Sequence, residues 1–259
     1  MKIDKLLMIP QVTQLDACID IAAEYHLGFE YNDFFSPALL EDEDACKERI
    51  LMYKEKDRDL SICTLHGAFL DITVCSDDPM IARASDCRVE QSIRVALALG
   101  VKGIVFHTNY IANFKSKSYR ERFVEGNAEY WKKKLGRYPA LNIYIENMFD
   151  DDPELLARLG ERLQEYPNFG ICFDYAHAHV FGSEDQINLW VKSLAPYVKH
   201  LHINDNDFYE DQHLAVGDGR IDWKRFREYY EHFFPEASVL IEVNGIEKIR
   251  RSLDFIRAL

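Results

Sequence analysis

The chain has 259 residues, 47% of them apolar and 13% aromatic, which excludes intrinsic disorder and supplies enough apolar surface for one large core. Its 31 Lys+Arg stand against 44 Asp+Glu, and the formal charge of −13 argues against a broad grip on phosphate backbones while leaving room for a local anion site. The apolar runs are strand-sized, so none reads as a bilayer span, and the opening MKIDKLLMIPQ lacks the apolar length and cleavage site of a secretory signal.

In chain order, strand-length apolar runs fall at 5–10, 27–31, 60–67, 102–108, 141–147, 168–174, 198–205 and 238–244. They are rich in Ile, Val, Phe and Tyr, as parallel strands buried on both faces are. Helix-like segments alternate with them. Leu15–Tyr25 places Ile19, Ile21, Ala22 and Ala23 around one apolar flank. Asp78-Pro79 opens a long stretch that ends at Leu99-Gly100, with the glycine as C-cap. Asp152-Pro153 opens Glu154–Tyr166, where Pro suits the first helical position. Ser183–Leu194, Asp222–Phe233 and Ile246–Leu259 read similarly. No Pro/Gly/Ser linker interrupts the pattern, so residues 1–259 are expected to form a single domain. Alternating strand–helix units in a chain of this length fit an α/β fold of the (β/α)8 TIM-barrel type. A doubly wound open sheet is the alternative, but it calls for a glycine-rich phosphate loop after an early strand, and none is present.

Cys18, Cys46, Cys63, Cys75, Cys87 and Cys172 form no CxxC pair and no short secreted framework. They read as structural thiols, and a cytoplasmic location is expected.

Strand after strand ends in a residue type that binds metals. The third run ends in His66, the fourth in His107, the fifth in Glu146 and the sixth in Asp174. The seventh carries His200 and His202, and the eighth carries Glu242. Barrel sites form at the carboxyl ends of the strands, so these side chains should converge on one mouth. His177 follows Asp174 by one turn, and Asp211 and His213 flank Gln212 in the loop after the seventh run. Each residue alone has an ordinary explanation, such as a hydrogen-bonded core histidine or a helix cap. The recurrence at matching positions argues for a site, and mixed nitrogen and carboxylate ligands suit Zn²⁺ or Mn²⁺ better than Ca²⁺ or Mg²⁺. His202 is taken as the ligand and His200, on the same strand face, as a barrel-interior residue. His26 and His232 read as surface residues. His179 either touches substrate or packs.

The runs HGAFLDI, VFHTNY, IENM, CFDYAHA, HLHINDND, DQHLAVGDGRIDW and IEVNG resemble the xylose-isomerase-like TIM-barrel superfamily, from about Leu60 to the C-terminus. This superfamily holds the sugar phosphate isomerases/epimerases and the AP endonuclease family 2 proteins. The isomerase branch implies one divalent ion on Glu146, Asp174, His202 and Glu242. The endonuclease IV branch implies three zinc ions and adds His66, His107, His177, Asp211 and His213. Endonuclease IV also carries cationic and wedge residues that grip damaged DNA, and KLLMIPQV and EYNDFFSP offer neither, so nucleic acid is not the expected partner.

The resemblance therefore implies a small sugar or phosphorylated sugar as substrate, one to three divalent ions, no membrane partner and a homo-oligomer as one option. In an isomerase or epimerase, Glu146 and Glu242 form the acid/base pair and His177 orients a substrate hydroxyl. Asn109, Tyr110, His179 and Trp223 are then the candidate sugar contacts. The alternative is a multinuclear zinc phosphoesterase with a carboxylate bridging two ions. A metal- or sugar-binding barrel without turnover has no feature of its own in its favour.

Overall fold

The computed structural model describes residues 1–56 and 60–259. Eight parallel strands close into a barrel in sequence order. They are β1 (Leu6–Met8), β2 (Gly28–Tyr31), β3 (Thr64–His66), β4 (Gly103–His107), β5 (Asn142–Glu146), β6 (Phe169–Asp174), β7 (Val198–Ile203) and β8 (Ser238–Ile241). The helices are α1 (Leu15–Tyr25), α2 (Pro37–Glu41), α3 (Glu43–Lys54), α4 (Pro79–Leu99), α5 (Lys117–Arg137), α6 (Glu154–Leu163), α7 (Tyr175–Val180), α8 (Ile187–Leu194), α9 (Trp223–Phe233) and α10 (Ile246–Ala258). This is the expected (β/α)8 barrel. No described helix is long and apolar enough to cross a membrane.

The expected caps of α4 are in place, whereas Pro153 sits at the N-cap of α6 instead of its first helical position and that helix ends at Leu163, before Tyr166. Asp78 Oδ1 accepts from Met80 N at 2.7 Å with Pro79 at the first turn, and Gly100 closes α4 in the left-handed region. Helices α3 and α5 were not among the expected segments. Both are strongly polar, and α5 contains Gly126 and Gly136, so their apolar stripes are thin in sequence. Several strands are also shorter than the apolar runs around them, because the run continues into buried loop residues such as Ile9, Asn204 and Val243.

The period-two alternation of each strand separates two compartments. Leu65, Ile104, Phe106, Ile143, Ile145, Ile171, Phe173, Leu201, Ile203, Val239 and Ile241 join the main core between barrel and helices. The residues between them point into the barrel. The lower interior is filled by Leu7 and Leu240 on one side and by Val105, Tyr144 and Cys172 on another. One step further along the same strands stand His66, His107, Glu146, Asp174, His202 and Glu242. Register keeps them at one height, with His107 beside Glu146 and Asp174 beside His202.

Candidate metal centre and active site

Three groups of side chains converge at the carboxyl end of the barrel: His66, His107 and Glu146; Glu146, Asp174, His202 and Glu242; His177, Asp211 and His213. Within each group one ligand atom per residue lies within 4.8 Å of the others, the reach of a shared cation. Every residue expected as a ligand is therefore present, and Glu146 belongs to two groups.

The orientation of each imidazole follows from what its outer nitrogen touches. His66 Nδ1 lies 3.0 Å from the Gly67 carbonyl, His177 Nδ1 2.9 Å from the Asn147 carbonyl and His213 Nδ1 2.8 Å from the Glu242 carbonyl. A carbonyl only accepts, so each Nδ1 carries a hydrogen and donates, which turns Nε2 toward the site. His66 Nε2 and His107 Nε2 are each 3.4 Å from Glu146 Oε2 and 3.2 Å from each other. His177 Nε2 and His213 Nε2 both face Asp211 Oδ2, at 3.3 and 3.1 Å. His202 is reversed: its Nδ1 lies 3.2 Å from Glu146 Oε1 and 3.4 Å from Glu242 Oε2.

The carboxylates are pinned from behind. Asp174 Oδ1 accepts from His177 N at 2.6 Å as the cap of α7, which explains how the short Asp174–His177 spacing folds back on itself. Asn147 clamps the same strand end, accepting from Asp174 N and donating to its carbonyl, both at 2.9 Å.

Glu146 Oε2, Asp174 Oδ2, His177 Nε2, Asp211 Oδ1 and Glu242 Oε2 are buried without a hydrogen-bond partner among the described residues. Buried polar atoms are nearly always satisfied, and these converge on common points, so the donor set fits divalent cations. Electrostatics agrees. Burial opposes the charge on Glu242, but His202 and His213 outweigh it and hold its carboxyl at about 2. Burial would likewise push His213 down, yet Asp211 and Glu242 raise it to about 9. His177 and His202 are raised too, against burial, His177 by Asp174, Asp211 and Glu146 and His202 by Cys172 and then Glu146, Glu30 and Glu242. Asp174, penalised first by burial and then by Glu242 and Glu146, is driven well above the usual range. One proton-bearing carboxyl among protonated histidines is how an acidic cluster balances its charge when protons stand in for cations.

Above the cluster opens a cavity of about 280 Å³. His66, His107, His177, Asp211, His213 and Glu242 form its floor, and Ile9, Asn32, Phe35, Phe69, Met148 and Asn244 form its walls. Phe35 and Phe69 pack at 4.9 Å, and Phe69 lies 4.8 Å from His107, giving one aromatic wall opposite amide side chains.

The expected sugar contacts are not in that cavity. Asn109, with φ of 50°, lines a separate cavity beside the loop after β3. Tyr110 is buried against Phe123, Val124 and Leu155, and its hydroxyl accepts from Arg120 at 3.2 Å. His179 is buried, stacked on Phe208 at 5.0 Å and 2.6 Å from Glu184 through Nδ1. Trp223 donates Nε1 to Asp205 Oδ2 at 2.7 Å. Tyr110, His179 and Trp223, expected as sugar contacts, thus stand outside the residues that line the cavity over the cluster. His200 lies in the barrel interior as expected, and His26 and His232 are exposed.

Sequence reasoning missed Phe35, Phe69, Asn32, Asn244 and Asn147, and it passed over Glu30. Glu30 had a visible signal, a lone carboxylate inside an apolar strand. The wall residues had none, because they gather from separate loops.

A family model described as xylose isomerase-like TIM barrel matches residues 18–259. The chain belongs to this family. Among curated proteins, the uncharacterized protein MJ1311 of Methanocaldococcus jannaschii is 22% identical over 201 residues, covering 74% of this chain and 68% of that one. Among solved structures, the TTHB071 protein of Thermus thermophilus, soaked with ZnCl2, matches with a TM-score of 0.80 at 23% identity, covering 99% of this chain and 97% of that one. The D-psicose 3-epimerase of Clostridium cellulolyticum, solved with D-tagatose, matches with a TM-score of 0.70 at 17% identity, covering 98% of each chain. At these identities the structural matches speak for the shared xylose isomerase-like fold.

Proposed function

We propose that this xylose isomerase-like protein is a divalent-metal-dependent isomerase or epimerase of a small sugar or sugar phosphate. One observation carries the reading. Glu146 and Glu242 are buried and approach His202 Nδ1 from two directions, at 3.2 and 3.4 Å, below a small cavity walled by aromatic rings and amides. Aromatic faces and amide groups suit a polyol, and no Lys or Arg stands among the described residues that line the cavity. The epimerase among the structural matches agrees with this substrate class.

Zinc or manganese held by Glu146, Asp174, His202 and Glu242 would supply positive charge to adjacent carbonyl and hydroxyl oxygens of the substrate. The chain's own groups move the protons. One of Glu146 and Glu242 takes a proton from the carbon next to the carbonyl, and a proton is returned at the neighbouring carbon in isomerisation or from the opposite face in epimerisation. In the ion-free protein burial opposes their charge, but His202, with His107 for Glu146 and His213 for Glu242, holds both carboxyls below the usual range, and a bound cation would favour the same base form. His177, with Nδ1 tied to the Asn147 carbonyl, presents Nε2 toward the cavity and can orient a substrate hydroxyl. Phe35 and Phe69 keep water from the reacting carbons.

A second reading has its own support. The two oxygens of Glu146 face different groups, Oε2 toward His66 and His107 and Oε1 toward His202. A carboxylate shared in this way suits a bridged, multinuclear zinc centre that hydrolyses phosphoesters.

Elemental analysis and turnover separate the two. We expect at least one tightly held transition metal per chain, with ketose epimerisation or aldose–ketose exchange followed by NMR. Glu146→Gln and Glu242→Gln should each slow that reaction by about 100-fold or more. Full activity in either variant refutes the acid/base assignment, and a metal-free active protein refutes the shared premise. Three ions per chain, with hydrolysis of small phosphoesters and no isomerisation, would install the second reading.

A further inference from the structure

β2 contributes no residue to the groups described above, yet it places Glu30 in the barrel interior with no exposure. Thr64 Oγ1 donates to Glu30 Oε2 at 2.7 Å, and His200 Nε2 lies 3.1 Å from the same oxygen. His200 Nδ1 lies 2.7 Å from Ser238 Oγ, and the Tyr144 ring stacks on the imidazole at 5.4 Å. A carboxylate only accepts, so His200 Nε2–H donates to Glu30, while Ser238 Oγ pairs with His200 Nδ1 and also reaches the Lys199 carbonyl at 3.4 Å. Glu30 Oε2 thus receives two donors, while Oε1 receives no hydrogen bond of its own.

His202 Nε2 lies 3.2 Å from that oxygen and is itself a buried nitrogen without a hydrogen-bond partner. The other ring nitrogen of His202 faces Glu146 and Glu242. If His202 carried its hydrogen on Nδ1, an N–H would point into the space a cation needs, and a lone pair would face the Glu30 carboxylate. With the hydrogen on Nε2, both conflicts vanish.

We propose that Glu30 is a positioning residue that selects the Nε2-protonated form of His202 and so makes Nδ1 the ligand atom of the central group. His200, Thr64 and Ser238 hold Glu30 in place from below. The proposal rests on the metal-dependent reading above. Partners of this kind orient a ligand imidazole and raise its basicity, and their loss weakens metal binding by about ten- to a hundredfold.

The test is zinc competition against a chromophoric chelator, with ¹H–¹⁵N spectra of the histidine rings, on the full chain and on Glu30→Gln and Glu30→Ala. Glu30→Gln keeps the buried volume and remains informative if Glu30→Ala fails to fold. In the zinc-loaded wild type, His202 should be bound through Nδ1 with a strongly hydrogen-bonded Nε2 proton. Glu30→Gln should move that proton upfield and weaken one zinc ion by about tenfold or more, leaving any further ions unchanged. A purely structural role would instead lower the melting temperature equally with and without zinc. Wild-type affinity for every ion in Glu30→Gln, or binding of His202 through Nε2, overturns the proposal while the metal-dependent reading stands. A wild type that holds no zinc takes both down.

Discussion

Asp150 lies under the loop that follows β5 and ties it to the end of β4. Its Oδ2 accepts from Thr108 Oγ1 at 2.6 Å and from Met148 N at 3.0 Å, and its Oδ1 is buried without a partner. Burial is the largest influence on this carboxyl, and it outweighs those hydrogen bonds and raises the pKa from 3.8 to about 6. The folded state therefore holds the proton more tightly than the unfolded chain. Stability is unaffected by this group below about pH 3.8, falls as pH rises toward about 6 and levels off above it, by about 3 kcal/mol in all. Asp150→Asn cannot ionise, so its stability relative to wild type should improve by about 3 kcal/mol between pH 4 and pH 7 in urea unfolding. A difference that is constant across this range would show that Asp150 does not titrate there. The link to function is positional, because the tie joins the strand ends that carry His107 and Glu146.

Among the elements, the strand ends supply most of the candidate ligands, α7 supplies His177 and one loop supplies Asp211 and His213. Alternation along β3 to β8 sends every second side chain inward, which is why His66, His107, Glu146, Asp174, His202 and Glu242 share a ring. Asp211 and His213 stand in the long connection between β7 and α9, which needs its own support. Asp205 provides it, accepting from Asn206 N, Gly217 N, Ile221 N and Trp223 Nε1. The connection also turns at Gly217, where φ is 95° and an added Cβ would sit 2.4 Å from the Phe255 ring of α10. Gly217→Ala meets both the left-handed backbone penalty and that contact, so we expect a loss of about 2 kcal/mol or more in chemical denaturation. The variant should also release an ion bound by His177, Asp211 and His213 before those on the strand ends. Wild-type stability in Gly217→Ala would mean that the loop has another conformation available.

At the scale of the whole molecule, the proposed cation site would couple metal loading to folding. Against the effect of burial, carboxylates raise His177 and His213, His213 to about 9, and Cys172 with the surrounding carboxylates raises His202, so the ion-free protein favours protonated rings at these positions. A raised histidine stabilises the ion-free fold below about pH 6.5, and that contribution is lost as pH rises through about 9 for His213. A cation must displace the same protons. Zinc binding should release protons, measurable by calorimetry in buffers of different ionisation enthalpy, and its affinity should fall as pH is lowered from 9 to 6. Stripping the ions with a chelator should lower stability by about 3 kcal/mol for each site held at a hundredfold excess over its dissociation constant. For a chain of this size that is a fall in melting temperature of about 5 °C or more, restored by zinc. A melting temperature indifferent to chelator and zinc would remove the cation from the account.

The barrel, its strand ends and the set of His, Asp and Glu residues that converge there were legible in the sequence because they rest on local rules. Period two, strand length and Pro or Gly punctuation survive in a single chain, and a His or Glu closing an apolar run is conspicuous. The sharing of Glu146 between two groups, the reversed ring of His202 and the column from Ser238 through His200 to Glu30 were decided by closure of the barrel. That closure brings β2 against β7 across the interior, 170 residues apart in the contact of Glu30 with His200. The same holds for the cavity walls and for the placing of Tyr110, His179 and Trp223 outside them. A polar or aromatic residue near a motif carries no local record of whether its hydrogen bonds are already taken. Only tertiary packing assigns those partners, because they come from elements distant in the chain.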